Sequence, residues 1–280
     1  MIDVLVATFR PRQKDLDEQL DSICMQHGVE TKVIVREDAA GDGPAANFSA
    51  LLSESRSPYV AFSDQDDIWE TDKLSALMDK MRELESVCGA SVPLMVFSDA
   101  SLADADGSPL GGGTFISRQG VDVAQGIAFP RLLMQNFIAG NLMLFNAALR
   151  EKAGSVPREA LMHDSWMALV ASAFGKIGFV DRPLVRYRQH GANAVGATLS
   201  ASAKKLSRAR EGVRAFRTRL AENIAQARAF ADRYGPDAPD AAHALAAFSS
   251  GGFFSRKISL FRHGLWKHGL SRNLALLAFA

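Results

Sequence analysis

The sequence predicts an α/β fold: a doubly wound, mostly parallel sheet flanked by helices, with an all-helical C-terminal extension. Short β-rich apolar runs alternate with helix-period segments through the first hundred residues. Polar residues gather just past the ends of those runs, and from about residue 200 the pattern is helical throughout.

IDVLVAT (2–8) is a strand ending at a polar loop, and Leu16, Leu20, Ile23 and Cys24 then recur at helical spacing. TKVIV (31–35) is the second strand, followed by the loop EDAAGDGP. Pro44 opens a helix whose apolar face holds Phe48, Leu51 and Leu52. YVAF (59–62) is the third strand, and Leu74, Leu77, Met78, Met81 and Leu84 mark an amphipathic helix before the fourth, LMVF (94–97). The middle is less regular. Residues 107–120 read as a mobile loop, 136–146 as a buried strand, and 163–175 as a helix ending at Gly175. KIGFV and PLVRYRQHG read as two strands, and a break at 234–240 precedes the last helices. The division expected is an α/β domain over 1–199 and a helical region over 200–280.

The 280 residues, 48% of them hydrophobic, suffice for a sizeable core. A net charge of +1 gives no nucleic-acid signal, but the halves differ. Residues 1–199 carry 18 Lys+Arg against 26 Asp+Glu; residues 200–280 carry 14 against 5. A basic tail on an acidic body suggests an anionic membrane surface as partner, or else a tail that docks on the body. The stretch 253–280, mixing bases with Phe, Leu and Trp, fits an interfacial helix pair. Cys24 and Cys88 sit in apolar helical patterns and read as buried free thiols. MIDVLVATFRPRQ lacks the basic start and long apolar core of a signal peptide, and no window approaches a spanning helix. A cytoplasmic location is the expectation.

FSDQDDIW (62–69) places Asp64, Asp66 and Asp67 within four positions, directly after an apolar strand. Like charges so close raise the energy of a site unless a cation sits among them. Mg²⁺ and Mn²⁺ take carboxylate oxygens and share their sites with substrate phosphates. The competing reading is that Asp67 caps the helix beginning near Glu70, which leaves two aspartates unexplained. Asp38, at the end of the second strand, and Thr8, at the end of the first, lie along the same edge, where open α/β sheets bind ligands. His163 and Asp164 open a later helix, with Asp164 either a plain N-cap or a functional acid.

These residues carry a resemblance. LVATFR, LDEQLDSICMQ and FSDQDDIWETDKL are joined by NFIAGNLMLFNAAL and MHDSWMALVASAFGKIGFVDRPLVRYRQHGANAVG. Together they resemble the inverting family-2 glycosyltransferases with the A-type nucleotide-sugar-binding fold, in the bacterial rhamnosyltransferase-like branch. The likeness covers roughly residues 2–197.

The resemblance implies a catalytic domain over 1–199 and transfer of a sugar from a nucleoside-diphosphate donor to a glycan or lipid-linked acceptor. It implies that Thr8 and Phe9 line the base, Asp38 accepts from it, Asp64 holds the ribose and Arg188 contacts phosphate or holds the following loop. It gives Asp66 and His190 to a Mn²⁺ or Mg²⁺ ion bridging the phosphates. Asp164 becomes the general base, because inverting displacement needs one on the acceptor side. Asn136, Asn141 and Trp166 fall on that side, Trp166 as a stacking platform or as core. Residues 191–198 become a lid. dTDP-rhamnose is the donor favoured, with UDP- and GDP-sugars open, and the setting is cell-surface polysaccharide synthesis on the cytoplasmic face of the inner membrane.

One departure stands out: the family's Asp-Asp-Gly-Ser-x-Asp reads REDAAGDGP here, with Glu37 in the first acid's place. Two other readings compete. A nucleotidyltransferase would carry a Gly-rich activating loop after the first strand, which TFRPRQ lacks. A decayed sugar-nucleotide-binding scaffold would explain the altered loop, against Asp64, Asp66, Asp164 and His190 being present.

Overall fold

The computed structural model describes residues 1–189 and 205–279. Two compact units emerge. One comprises Met1–Gln119, Phe137–Arg158 and Met162–Gln189; the other comprises Gly120–Asn136, Glu159–Leu161 and the described part of His190–Ala280.

The first unit is built on seven strands: β1 (Ile2–Thr8), β2 (Thr31–Glu37), β3 (Tyr59–Ser63), β4 (Ile68–Trp69), β5 (Leu94–Ala103), β6 (Met143–Asn146) and β7 (Lys176–Arg188). They form one sheet in the order β2-β1-β3-β6-β5-β7-β4. Parallel pairing joins β1 to β2, β1 to β3 and β5 to β7; β6 opposes both its neighbours, and β4 opposes β7. Five strands therefore share one direction. Helices α1 (Gln13–Cys24), α2 (Pro44–Glu54) and α3 (Lys73–Cys88) make the crossovers. Val4, Leu5, Val6, Val60, Ala61 and Phe62 are wholly buried, as strands covered on both faces require.

The second half departs from the simple alternation. Residues 136–146 are not one strand: a 3₁₀ turn, Gly140–Leu142, precedes the four residues of β6, which run antiparallel between β3 and β5. The segment 107–120 contains a helix, α4 (Phe115–Gln119). Its first turn is closed by Thr114 Oγ1 accepting from Ser117 N–H while Ser117 Oγ accepts from Thr114 N–H. The two strands expected after residue 175 are a single β7, whose register against β5 shifts on either side of Asp99, where Pro183 cannot donate to a ladder. Cys24 is exposed and Cys88 half-buried, because each lies at the last turn of its helix.

The remaining helices are α5 (Val123–Gly126), α6 (Phe129–Met134), α7 (Ala147–Ala153), α8 (His163–Phe174), α9 (Lys205–Tyr234), α10 (Asp240–Ala246), α11 (Phe253–Arg262) and α12 (Leu270–Phe279). In the second unit α9 buries Leu220, Asn223, Ala227 and Phe230 at helical spacing. Phe230 packs against Phe129, ring centroids 5.1 Å apart, and Asn223 Nδ2 donates to the Met134 carbonyl at the end of α6. Gly175 ends α8 where a Cβ would stand 1.7 Å from the Pro93 carbonyl oxygen, so no other residue fits that junction.

Candidate active site

Parallel register brings the carboxyl ends of β1, β2 and β3 side by side, Thr8 opposite Glu37 and Val6 opposite Ser63. Because Leu144 pairs with Ala61, the turn at Gly140–Leu142 reaches the same edge. Asp64, Asp66, Asp67, Asn141 and Asp164 are all carried there.

The first helix braces this edge with polar groups. Its inward stripe is Asp15, Gln19, Ser22 and Ile23; Leu16 and Leu20 are only half-buried. Gln19 Nε2 donates to Ser63 Oγ at 2.6 Å, and Ser22 Oγ accepts from Trp69 N–H at 3.1 Å. Gln26, just past the helix, donates to the Glu70 carbonyl and accepts from Leu74 N–H. The loop between β3 and α3 is thereby pinned at both ends.

Asp67 is the buried hub of the loop. It does not cap α3, which starts at Lys73 with Asp72 at the cap position. One carboxylate oxygen accepts from the Arg188 backbone N–H at 3.2 Å; the other accepts from Asn141 Nδ2. The Asn141 carbonyl in turn accepts from Lys73 Nζ at 2.7 Å, and that ammonium stands 3.1 Å over the Trp69 ring. Burial pushes Asp67 up and Lys73 down, and the charge of Asp67 pulls Lys73 back. The Arg188 guanidinium is buried between Asp15, at 2.8 Å, and Glu18. It anchors the end of β7 to α1.

Asp64 and Asp66 are partly open to solvent. Burial first, then the charges of Asp66 and Asp164, raise Asp64 to about 7. That crowding is what a hard cation sharing phosphate oxygens would relieve, and the oxygen donors fit Mg²⁺ or Mn²⁺. Among the described residues no three His, Cys, Asp or Glu side chains close a metal cage by themselves. Beside them Gln65 holds the Phe9 backbone through its N–H, at 2.7 Å, and its carbonyl, leaving the Phe9 ring 49% exposed. Thr8 is buried. Asp38 gathers the N–H groups of Gly41, Asp42 and Gly43, and these hold its carboxyl below the usual range. The rearranged REDAAGDGP loop is thus a carboxylate-centred turn.

Asp164 lies inside the first turn of α8; the cap position is Met162. Its carboxylate accepts from Gly140 N–H at 3.2 Å and from Ser165 N–H, yet burial lifts it to about 6. Its effect on Asp64 places the two carboxylates within electrostatic reach across the edge. His163 is buried, stacked on Phe48 at 3.9 Å and edge-on to Phe62 at 4.8 Å. Neither ring nitrogen finds a partner among the described residues, and a Cβ at Gly140 would meet Nε2 at 2.7 Å. The neutral ring is therefore a close-fitting wedge beneath the Gly140 turn.

Burial holds His163 down to about 3, against 6.5 unfolded. The stability of the neutral ring is present above pH 6.5 and is lost as pH falls toward 3. His163→Leu is expected to shrink the loss of unfolding free energy between pH 7 and pH 5 by up to about 2 kcal/mol. Denaturant titrations at the two pH values measure this, and equal pH sensitivity in both proteins would refute it.

Trp166 is fully buried and donates to the Ala153 carbonyl at 3.2 Å, so of its two expected roles it takes the core one. Asn136 falls in the second compact unit, unlike Asn141. His190 and the 191–198 segment lie outside the described residues. Sequence reasoning missed Lys73 and the Gln19, Ser22, Gln26 brace. The one available signal was polar residues at i, i+3 and i+7 over the stretch 19–26.

The sheet with its acid-lined edge is similar in fold to solved glycosyltransferases. More particularly, residues 5–94 match the family model described as Glycosyl transferase family 2. The dTDP-rhamnosyl transferase RfbG of Shigella flexneri is 26% identical over 223 residues, spanning 68% of this chain and 73% of that protein. TarS 1–349 of S. aureus, solved with UDP-GlcNAc, superposes with a TM-score of 0.54 at 13% identity, covering 93% of this chain and 72% of that one. The mannosyltransferase PcManGT of Pyrobaculum calidifontis, solved with GDP-Man and Mn²⁺, gives 0.51 at 16% identity, covering 99% and 78%. At these identities the two structures speak for the fold alone.

Proposed function

We propose that this enzyme transfers a sugar, with inversion, from a nucleoside diphosphate to a hydroxyl of a glycan or lipid-linked acceptor. The observation that carries the reading is Asp164: a carboxylate held by backbone N–H groups at the strand edge and raised to about 6, where a general base works well near neutral pH. The likeness to RfbG favours dTDP-rhamnose as donor. Cell-surface polysaccharide synthesis, at the cytoplasmic face of the inner membrane, is the setting this chemistry fits. Residues 1–199 are the catalytic part in this reading.

Phe9 and Thr8 line the base, and the turn built on Asp38 shapes that end of the crevice. Asp64 accepts from the ribose hydroxyls. Asp66, with His190, would hold a divalent cation; when bound, it neutralises charge on the departing diphosphate. Asp164 takes the acceptor hydroxyl proton as that oxygen bonds to the anomeric carbon. The bond from that carbon to the diphosphate breaks on the opposite face, and the nucleoside diphosphate leaves with the electron pair. Asn141 acts through Asp67, which it helps to hold.

Asp66→Ala is expected to abolish metal-dependent donor binding without unfolding the protein, because the side chain stands at a strand end outside the core. Calorimetric titration of dTDP-rhamnose with and without Mn²⁺ decides it. An unchanged, still metal-dependent affinity would remove Asp66 from the metal.

A further inference from the structure

The last two helices leave an apolar face uncovered. On α11, Phe253, Phe254, Ile258 and Phe261 are 61–78% exposed. At about 100° per residue they fall within an arc of roughly 140°. Leu260, beside Phe253 at the border of that arc, is the buried residue that seats the helix. On α12, Leu270 and Leu274 stand one turn apart, 76% and 57% exposed, while Leu276 is buried. Lys257 joins the helices: its Nζ lies 4.9 Å from the Phe253 ring centroid and donates to the Leu277 carbonyl. Between them Phe261 meets Trp266 edge-on at 4.8 Å. The linker is tied to α6 of the same unit, Lys267 Nζ donating to the Met134 carbonyl at 3.0 Å. This is a presented surface on an anchored element, larger than the scattered apolar side chains of an ordinary exterior.

Charge says what covers it. Residues 253–280 carry five Lys and Arg and no Asp or Glu. Arg262 and Arg272 are exposed; Arg262 directly follows Phe261 at the border of the apolar arc, while Arg272 faces away from Leu270 and Leu274. A second copy of this face would bring like charges together around the apolar contact. An anionic lipid surface satisfies the rings and the bases at once. No described helix is long and apolar enough to cross a bilayer, and two ten-residue helices suit an in-plane position.

We propose that α11 and α12 lie in the plane of an anionic bilayer surface. Phe253, Phe254, Ile258, Phe261, Leu270 and Leu274 sink to the acyl boundary, and Arg262 meets lipid phosphates. The inference stands on these helices alone, independent of the transfer chemistry.

The test uses the full chain with phosphatidylcholine vesicles, with and without phosphatidylglycerol. Wild type is expected to sediment with the anionic vesicles, less so at high salt. Arg262→Gln should weaken partitioning about fivefold, at roughly 1 kcal/mol per base. Phe254→Ser with Phe261→Ser should lower it at least tenfold and abolish the salt-resistant part. Trp266 supplies a second readout: Trp69 and Trp166 are buried, so a blue shift on vesicle addition reports this face. Wild type that ignores anionic vesicles, or ring variants that partition equally, would overturn the proposal. So would a concentration-dependent dimer, broken by the ring variants, that does not bind vesicles.

Discussion

Asp164→Asn is expected to lower single-turnover sugar transfer by a factor on the order of 10² to 10⁴, the usual share of a general base. Saturating donor and metal remove binding differences from the comparison. Gly140 and Ser165 N–H donate to different carboxylate oxygens, so asparagine keeps the volume and one of the two acceptors while losing the basicity. In the wild type the rate should climb as pH passes about 6, because only the ionised carboxylate can take the proton. The residual rate of the variant should be flat across that range. Stability moves the other way. With its folded value raised above 3.8, Asp164 contributes stability that is present below pH 3.8 and lost as pH rises through 6. At pH 8 the variant should therefore melt no lower than wild type. A variant keeping more than about a third of the wild-type rate would contradict the base assignment, since that is under 1 kcal/mol of transition-state stabilisation.

Lys73→Met is expected to have the largest effect on stability. The ammonium is wholly buried, donates to the Asn141 carbonyl and offsets the charge of Asp67. Removing one partner from such a buried set costs about 3–5 kcal/mol, because the remaining charge has no compensation. The denaturant midpoint should fall with little change in slope. Removing the second charge as well, Lys73→Met with Asp67→Asn, should recover much of the loss. That recovery is the signature of coupling, as opposed to a cavity left by a long side chain. Additive losses in the double variant would show that the two groups do not compensate each other.

The parts of this structure that were legible in the sequence are those where hydrophobicity alone carries the pattern. The strand runs at 2–8, 31–35 and 59–62 sit where their apolar residues put them. The order of the sheet was not legible beyond β3, because four residues, 143–146, carry too short a pattern to reveal direction. The acid stretch was read as a functional cluster, and the structure holds it at the strand edge. What escaped was its support. Gln19, Ser22 and Gln26 are hydrophilic, so a reading based on hydrophobic periodicity hands their face to solvent. Lys73 went unread, because only its contacts with the Asn141 carbonyl and the Trp69 ring, 68 and 4 positions away, explain why it is buried. Cys24 was misplaced for the converse reason: an apolar residue in the last turn of a helix need not face the core.

The antiparallel insertion of β6 also bears on how the chain comes together in time. Until Met143–Asn146 has left the ribosome, β3 and β5 have no partner on the sides they turn toward each other in the finished sheet. The nascent N-terminal half therefore holds β3 with that edge bare and β5 with neither neighbour, both strands rich in apolar residues, while about 40 further residues are made. Such edges are the places where a growing chain pairs wrongly with its neighbours. The four residues that close the gap are the shortest stretch on which the continuity of the whole sheet depends.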